Sequence, residues 1–319
     1  MSDATTGFDP AWLALREPVD HVAREATGLS ERLVRWLDAR RGDGAPGAPT
    51  RVVDLGCGTG SNLRFLLPRL GHDQRWRLVD DDPALLDALP GLVRRWCEAR
   101  GVEARSDGAD GALAVRGARF SATIRTERLD LAANLGALEL AGTDLVTAAA
   151  LLDLCSADWI EALVRACVEA RAAALFALDY DGGADWDPPH PDDAILRERV
   201  NRHQRRDKGF GPALGPAAGA LAARRLGELG HEVIAARSVW RVGPDATALH
   251  AAFVDGWARA AREPVSGDAA GPDGGARLGA RIDAWSAHRR RAAADGAATL
   301  AVGHHDALAL PGSCGPGPA

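Results

Sequence analysis

Apolar residues along the chain fall into two rhythms, one near every third or fourth position and one in short continuous runs. Residues 8–40 carry Phe8, Trp12, Leu13, Leu15, Val19, Val22, Ala26, Leu29, Leu33, Val34, Trp36 and Leu37. That spacing predicts two or three short helices, one of them starting near Ser30. A glycine- and proline-rich linker, Gly42 to Pro49, leads into the run Arg51-Val52-Val53-Asp54-Leu55. The run ends at Gly56-Cys57-Gly58-Thr59-Gly60, which predicts a buried strand turning tightly into a helix. Leu63, Phe65, Leu66, Leu67 and Leu70 supply the apolar face of that helix.

Strand and helix patterns then alternate. Residues 75–80 read as a second strand ending in Asp80, and residues 84–100 as a helix with Leu85, Leu86, Leu89, Leu92, Val93 and Trp96 on one side. Residues 101–117 are polar, a loop or a weak hairpin. Strands are predicted at Phe120–Arg128, Thr143–Ala150 and Ala172–Asp181, with a helix over 157–171. Residues 182–215 interrupt the sheet with Gly182-Gly183, Trp186 and Pro188-Pro189-His190-Pro191, then a basic helix holding Arg197, Arg199, Arg202, His203, Arg205, Arg206 and Lys208. A helix at 216–230, a strand at 232–242, two helical stretches and a closing antiparallel strand at 299–310 complete the pattern. Alternation of this kind is the signature of an α/β sheet protein.

The chemistry of the first turn narrows its ligand. Glycine fits where the backbone turns sharply and a ligand comes close to it. A dinucleotide fingerprint runs G-x-G-x-x-G and presents a helix N-terminus to a pyrophosphate. Here the spacing is G-x-G-x-G, and Asp54 precedes the first glycine by two residues. A carboxylate there repels a pyrophosphate and suits a cationic ligand.

With Asp54, Gly56, Gly58 and Gly60 in this pattern, the sequence resembles the class I S-adenosylmethionine-dependent methyltransferases, whose first motif reads D-x-G-x-G-x-G. The resemblance covers roughly residues 50–242 and the last strand. It implies an α/β fold, a Rossmann-like doubly wound seven-stranded sheet with an antiparallel last strand, N-terminal helices and a helical insertion before that strand. The chain accordingly divides into an N-terminal helical cover and linker (1–49), a methyltransferase core (50–244), a helical insertion (245–297), the closing strand of the core (298–311) and a disordered tail (312–319).

S-adenosylmethionine is the cofactor this implies, with Asp54, Gly56, Cys57, Gly58, Gly60, Asn62, Asp80, Asp81, Asp130 and Ala149 around it. Asp80 takes the ribose hydroxyls, although an acid 20 residues past Gly60 also suits a dinucleotide-binding fold. Asp130 takes the adenine amino group, with Glu127 as a competing acid and a solvated loop carboxylate as the alternative. Asp153, Tyr180, Asp181 and His190 are the candidates for catalysis. Asp153 is a polar residue within an apolar run, and a helix cap is its other reading. Trp186, His190 and His203 are candidates for the acceptor pocket.

Composition trims the alternatives. The chain has 319 residues, 46% hydrophobic and 26% charged, enough for a full core. A net charge of −6 argues against a general nucleic-acid partner. No apolar run approaches a membrane span and residues 1–20 lack a signal-peptide pattern, so the cytoplasm is expected. Five scattered cysteines and an isolated His304-His305 pair suggest neither a disulfide framework nor a metal site. A small-molecule methyl acceptor is the expected partner. The alternatives are an RNA or protein methyltransferase that uses the basic helix, a nicotinamide-dependent oxidoreductase, and an inactive cofactor-binding protein.

Overall fold

A computed structural model describes residues 9–43, 47–107, 111–264 and 272–312. Its strands are β1 (Thr50–Leu55), β2 (His72–Asp80), β3 (Glu103–Asp107), β4 (Ala112–Arg116), β5 (Phe120–Arg128), β6 (Leu145–Ala149), β7 (Ala173–Asp187), β8 (His231–Val242) and β9 (Thr299–Pro311). They form one mixed sheet in the order β3-β4-β5-β2-β1-β6-β7-β9-β8. Strands β5, β2, β1, β6 and β7 run parallel, and β9 lies antiparallel between β7 and β8.

Among the described residues the sheet has nine strands, which corrects the expected seven. The two additional strands are the hairpin β3–β4 beyond β5, built from the stretch read as a polar loop or weak hairpin. Leu113 and Val115 are buried while Arg105 and Arg116 face out. Five residues of alternation per strand is a short signal in so polar a stretch.

A second correction concerns β7, which continues past Asp181 to Asp187 where an interruption was expected at 182. Register shifts against β9 between Phe176 and Asp179 and between Tyr180 and Ala184 take up the extra residues, including Gly182-Gly183. Trp186 therefore lies on the sheet, 6% exposed.

The N-terminal stretch forms two helices, α1 (Pro10–Glu25) and α2 (Leu29–Asp43). With α3 (Ser61–Leu70) and α4 (Pro83–Glu98), α2 covers one face of the sheet, burying Leu33, Leu37, Leu63, Leu66, Leu67, Leu89 and Val93 against Val52, Trp76 and Leu78. The other face meets the short helix α5 (Leu131–Asn134), α6 (Ala157–Glu169) and, beyond α7 (Asp193–Gln204), α8 (Ala218–Glu228). There Ile160, Leu163, Val164, Ala222 and Leu226 pack on Val53, Leu55, Val146 and Ala148. Adjacent residues of β1 thus enter opposite cores, which is why the run is continuously apolar.

A third apolar cluster joins the extended β7 to β8, β9 and the helices α9 (Thr247–Arg262) and α10 (Pro272–Ala294). Trp186, Trp240, Phe253, Trp257 and Trp285 form its centre, with rings of Trp186 and Trp285 edge to face at 5.7 Å. Pro311 ends β9, and the tail expected to be disordered lies, from residue 313, outside the described residues. Among the described residues no helix is long and apolar enough to cross a membrane.

Candidate functional site

At the end of β1 the chain turns through Gly56, Gly58 and Gly60, with φ of 59°, 52° and 83°. Side-chain-bearing residues rarely adopt these angles. Space is short as well: a Cβ at Gly56 would lie 3.1 Å from Leu151 and one at Gly60 3.3 Å from Leu89. The turn delivers the chain directly into α3, whose N-cap is Gly60 without a side-chain cap.

Asp54 is fully buried at the base of this turn. Its Oδ1 accepts from Asn62 Nδ2 at 2.6 Å, and the same amide reaches Thr147 Oγ1 at 3.2 Å, tying β1, α3 and β6 together. Asp54 Oδ2 is buried and, among the described residues, has no hydrogen-bond partner. Burial pushes the Asp54 carboxyl up to about 7, against the opposing pull of the Asn62 hydrogen bond and the Arg24 charge.

Asp80, at the end of the neighbouring β2, accepts from Gly58 N at 2.8 Å and from Asp82 N at 3.1 Å. It braces the glycine turn from the side and, being 8% exposed, is also held above the usual carboxylate range by burial. Cys57 is buried within the turn and its thiol is pushed up by burial. Asp81 is exposed, with its backbone carbonyl accepting from Arg128 Nε at 3.2 Å. Asp130 is exposed and caps α5, accepting from Ala132 N and Ala133 N at 3.0 and 3.1 Å. Glu127 pairs with Arg77 at 2.7 Å.

Helix α1 lies across the turn. Leu13 would be 3.4 Å from a Cβ at Gly58, and His21 Nε2 is 3.2 Å from both the carbonyl and the hydroxyl of Ser61. Arg64 of α3 donates to Glu17 at 2.7 Å through Nε and to Thr59 O at 2.7 Å through Nη1. Removing this nearly buried guanidinium strands Glu17 and frees the turn. Arg64→Ala is therefore expected to cost about 2 kcal/mol in denaturant unfolding and to loosen α1, read as faster amide exchange over residues 10–25. Arg24, also on α1, is 3% exposed and lies 4.0 Å over the Phe65 ring; burial lowers its pKa to about 10.

A second group of polar atoms sits beyond the carboxyl end of β6 and beside it on the middle of β7. Ala150 and Leu178 have φ of 56° and 60°, and neither is glycine. Such backbone costs of order 1–3 kcal/mol per residue and clusters at functional sites. It is held by hydrogen bonds from Ala150 N to Ala177 O at 2.8 Å and from Leu178 N to Asp306 Oδ1 at 2.8 Å. Next to it, Asp179 Oδ1 accepts from Leu152 N at 3.0 Å and so fixes the one-turn helix Leu152–Leu154 that carries Asp153.

Asp153 is 5% exposed and its Oδ1 has no partner among the described residues. Burial raises its carboxyl to about 6, while Arg16 and Lys208 pull it back. The hydroxyl of Tyr180 is likewise buried and unpartnered, and burial pushes it well above the usual phenol range. His304, paired in register with Tyr180, leaves Nδ1 unpartnered, and burial lowers its pKa to about 3, so the ring is neutral. Ser156 caps α6 through Trp159 N at 3.3 Å. The alternative reading of Asp153 as that cap therefore falls away.

The candidates thus separate. Asp54, Gly58, Asn62 and Asp80 share one hydrogen-bonded turn, Ala149 ends the adjacent strand, and Asp153 and Tyr180 lie just beyond it. Asp181 is committed elsewhere, accepting from Arg237 Nε at 2.5 Å and Gly183 N at 2.8 Å. His190 contacts Asp192, Asp193 and the ring of His288 at 4.9 Å, a group that includes neither Asp153 nor Tyr180. His203 faces Lys208 and Glu263. Arg24 and Asp306 escape a reading of the sequence. Asp306 interrupts an apolar strand, which is a usable signal, whereas nothing around Arg24 marks it as buried.

A glycine turn after the first parallel strand, with an acid closing the next strand bound back onto it, is now in view. The chain resembles the class I S-adenosylmethionine-dependent methyltransferases. No protein-family model and no curated protein matches the chain. Solved structures do, among them a cyclopropane-fatty-acyl-phospholipid synthase-like protein from Lactobacillus casei, at 15% identity over 88% of this chain and 92% of that one, with a TM-score of 0.42. The YcgJ protein from Bacillus subtilis is 14% identical over 86% and 97%, with a TM-score of 0.41. Geranyl diphosphate methyltransferase in complex with GPP and sinefungin is 12% identical over 88% and 77%, with a TM-score of 0.38. Likeness this remote assigns no activity, so any methyltransferase reading rests on the chain's own residues.

Proposed function

We propose that the chain is an S-adenosylmethionine-dependent methyltransferase that acts on a small molecule. The observation that carries this reading is Asp54 Oδ2, a carboxylate oxygen buried without a partner beneath a three-glycine turn. A buried acceptor without a donor costs about 1–3 kcal/mol, and a ligand ammonium group would relieve it. A pyrophosphate would aggravate it, which counts against a nicotinamide cofactor.

In this reading Asp54 holds the ammonium group of S-adenosylmethionine. Asp80 takes the ribose hydroxyls on the lone pairs left free by Gly58 N and Asp82 N. Gly56, Cys57, Gly58, Gly60, Asn62, Asp81 and Ala149 line the cofactor's path, and the exposed Asp130 lies at its adenine end. When bound, the cofactor supplies a methyl group on positively charged sulfur, which needs an aligned nucleophile and exclusion of water more than it needs activation.

Asp153 and Tyr180 face the acceptor. With its carboxyl near 6, Asp153 is ionised at neutral pH and able to take a proton from an acceptor amine or hydroxyl. Trp12 and Trp240, with ring centroids 6.3 Å apart, and the tryptophan cluster behind them give that side an apolar wall.

Calorimetric titration with S-adenosylmethionine, S-adenosylhomocysteine and NAD tests the reading. The first two are expected to bind and NAD is not; NAD alone binding would overturn it. Gly58→Val should remove detectable binding while far-UV circular dichroism is unchanged, since valine resists a φ of 52° and meets Leu13. Retained affinity in that variant would take the glycine turn out of the site.

A further inference from the structure

The chain contains 38 lysines and arginines, and Lys208 is the single lysine. Lysine offers a compact charge with three donors, and arginine a wide planar fork.

Lys208 sits on the loop 205–215 between α7 and α8, and that loop is built, not merely spanned. Asp207 Oδ1 accepts from Gly209 N at 2.7 Å and Gly211 N at 3.1 Å, and Asp207 bridges to Pro212. The loop docks beside Asp153: Leu214 N donates to Cys155 O at 2.9 Å, Phe210 meets Trp159 edge-on at 5.2 Å, and Gly211 faces Ser156.

Lys208 is half-buried, and its Nζ lies 3.1 Å from His203 Nε2. An ammonium only donates, so His203 Nε2 accepts from Lys208, while His203 Nδ1 lies 3.4 Å from Glu263 without a hydrogen bond to it. Two ammonium protons stay available. The charged groups acting on Lys208 are Asp153 and Glu263, which favour its ammonium form, and Arg206, which opposes it; burial outweighs them and lowers its pKa.

Asp153 and Lys208 each favour the other's charged form, and Asp153 Oδ1 has no hydrogen-bond partner among the described residues. The two groups carry opposite charges on the side of the fold where the loop docks, negative at Asp153 and positive at Lys208. Arg16 also faces Asp153, but its guanidinium is engaged by Asp20 at 2.8 and 3.1 Å.

We propose that Lys208 binds an anionic group of the acceptor, so that the substrate is a small acid whose amine or hydroxyl faces Asp153 and Tyr180. This rests on the methyltransferase reading above. An acceptor of that kind matches both charges, and neutral or purely cationic acceptors match at most one.

The single lysine makes the test direct. Protein grown with lysine carrying ¹³C at Cε gives one lysine Cε resonance. With S-adenosylhomocysteine bound, as followed by calorimetry on the same sample, that resonance is expected to shift saturably with lactate, benzoate or phosphate. It should not respond to acetamide, benzamide or chloride at matched ionic strength.

Homocysteine-product binding with no saturable response to any of the three anions would overturn the assignment of Lys208 and leave the methyltransferase reading standing. Failure of S-adenosylhomocysteine to bind at all would overturn that reading itself. With an acidic acceptor in hand, Lys208→Ala is expected to raise KM about tenfold to a hundredfold, from loss of a charge-assisted hydrogen bond, while kcat changes far less. A fall in kcat at constant KM would instead assign Lys208 to holding Asp153.

Discussion

Replacing Asp153 with asparagine is expected to lower kcat by roughly 10²–10⁴-fold, the usual contribution of a positioned proton acceptor. S-adenosylhomocysteine affinity should be unchanged in calorimetry, because Asp153 belongs to the acceptor side of the site. In the wild type, kcat/KM should rise with pH and level off above about 6, where the Asp153 carboxyl is ionised. Asp153→Asn should lose that rise.

Stability is expected to move the other way. The folded carboxyl lies at about 6 against 3.8 for an unburied aspartate, so it binds its proton more tightly when folded. Its contribution is present in full below the ordinary carboxylate range and is lost as pH rises through 6. At pH 8 the wild type buries a charge that asparagine does not, and Asp153→Asn should melt at a higher temperature. A variant that loses activity and stability together would mark Asp153 as a packing residue.

The parts of this site that can be read in the sequence are those fixed by neighbours along the chain. The glycine turn, Asp54 and Asp80 declare themselves because a strand end, a forced positive φ and an acid all fall within a few residues of one another. The seven expected strands are legible for the same reason, since runs such as Leu145–Ala149 are apolar on both faces. The hairpin β3–β4 is less so, being short and polar, and β7 hides its last residues behind Gly182-Gly183, which read as a break and are absorbed in a bulge. What the sequence conceals are the meetings of distant segments. Asp306 reaches Leu178 across 128 residues, Trp240 Nε1 reaches Asp20 across 220, and the loop that carries Lys208 docks on Cys155, two residues from Asp153. Hydropathy carries no record of such contacts.

Affinity for S-adenosylhomocysteine is expected to rise about tenfold between pH 6 and pH 8, and Asp54 is the reason. Its carboxyl titrates at about 7 in the free protein, so it is mostly protonated at pH 6 and mostly ionised at pH 8. Only the ionised form pairs with the ligand ammonium, and the ionised fraction grows by about that factor over the interval. Asp54→Asn should bind weakly and with no pH dependence, which calorimetry at pH 6, 7 and 8 reads directly.

The free protein has the opposite slope. A carboxyl moved from 3.8 to about 7 stabilises the fold fully below the ordinary carboxylate range and loses that contribution as pH rises through 7. The wild type should therefore be less stable at pH 8 than at pH 5 by an amount on the order of a few kcal/mol, from Asp54 and Asp153 together. Saturating S-adenosylhomocysteine should flatten the Asp54 part of that slope by supplying the missing counter-charge, and it should leave Asp54→Asn unaffected. If affinity for the ligand instead fell or stayed level from pH 6 to pH 8, the buried carboxylate would be a structural acid of the β1 turn, and the cationic end of the ligand would have to be sought elsewhere.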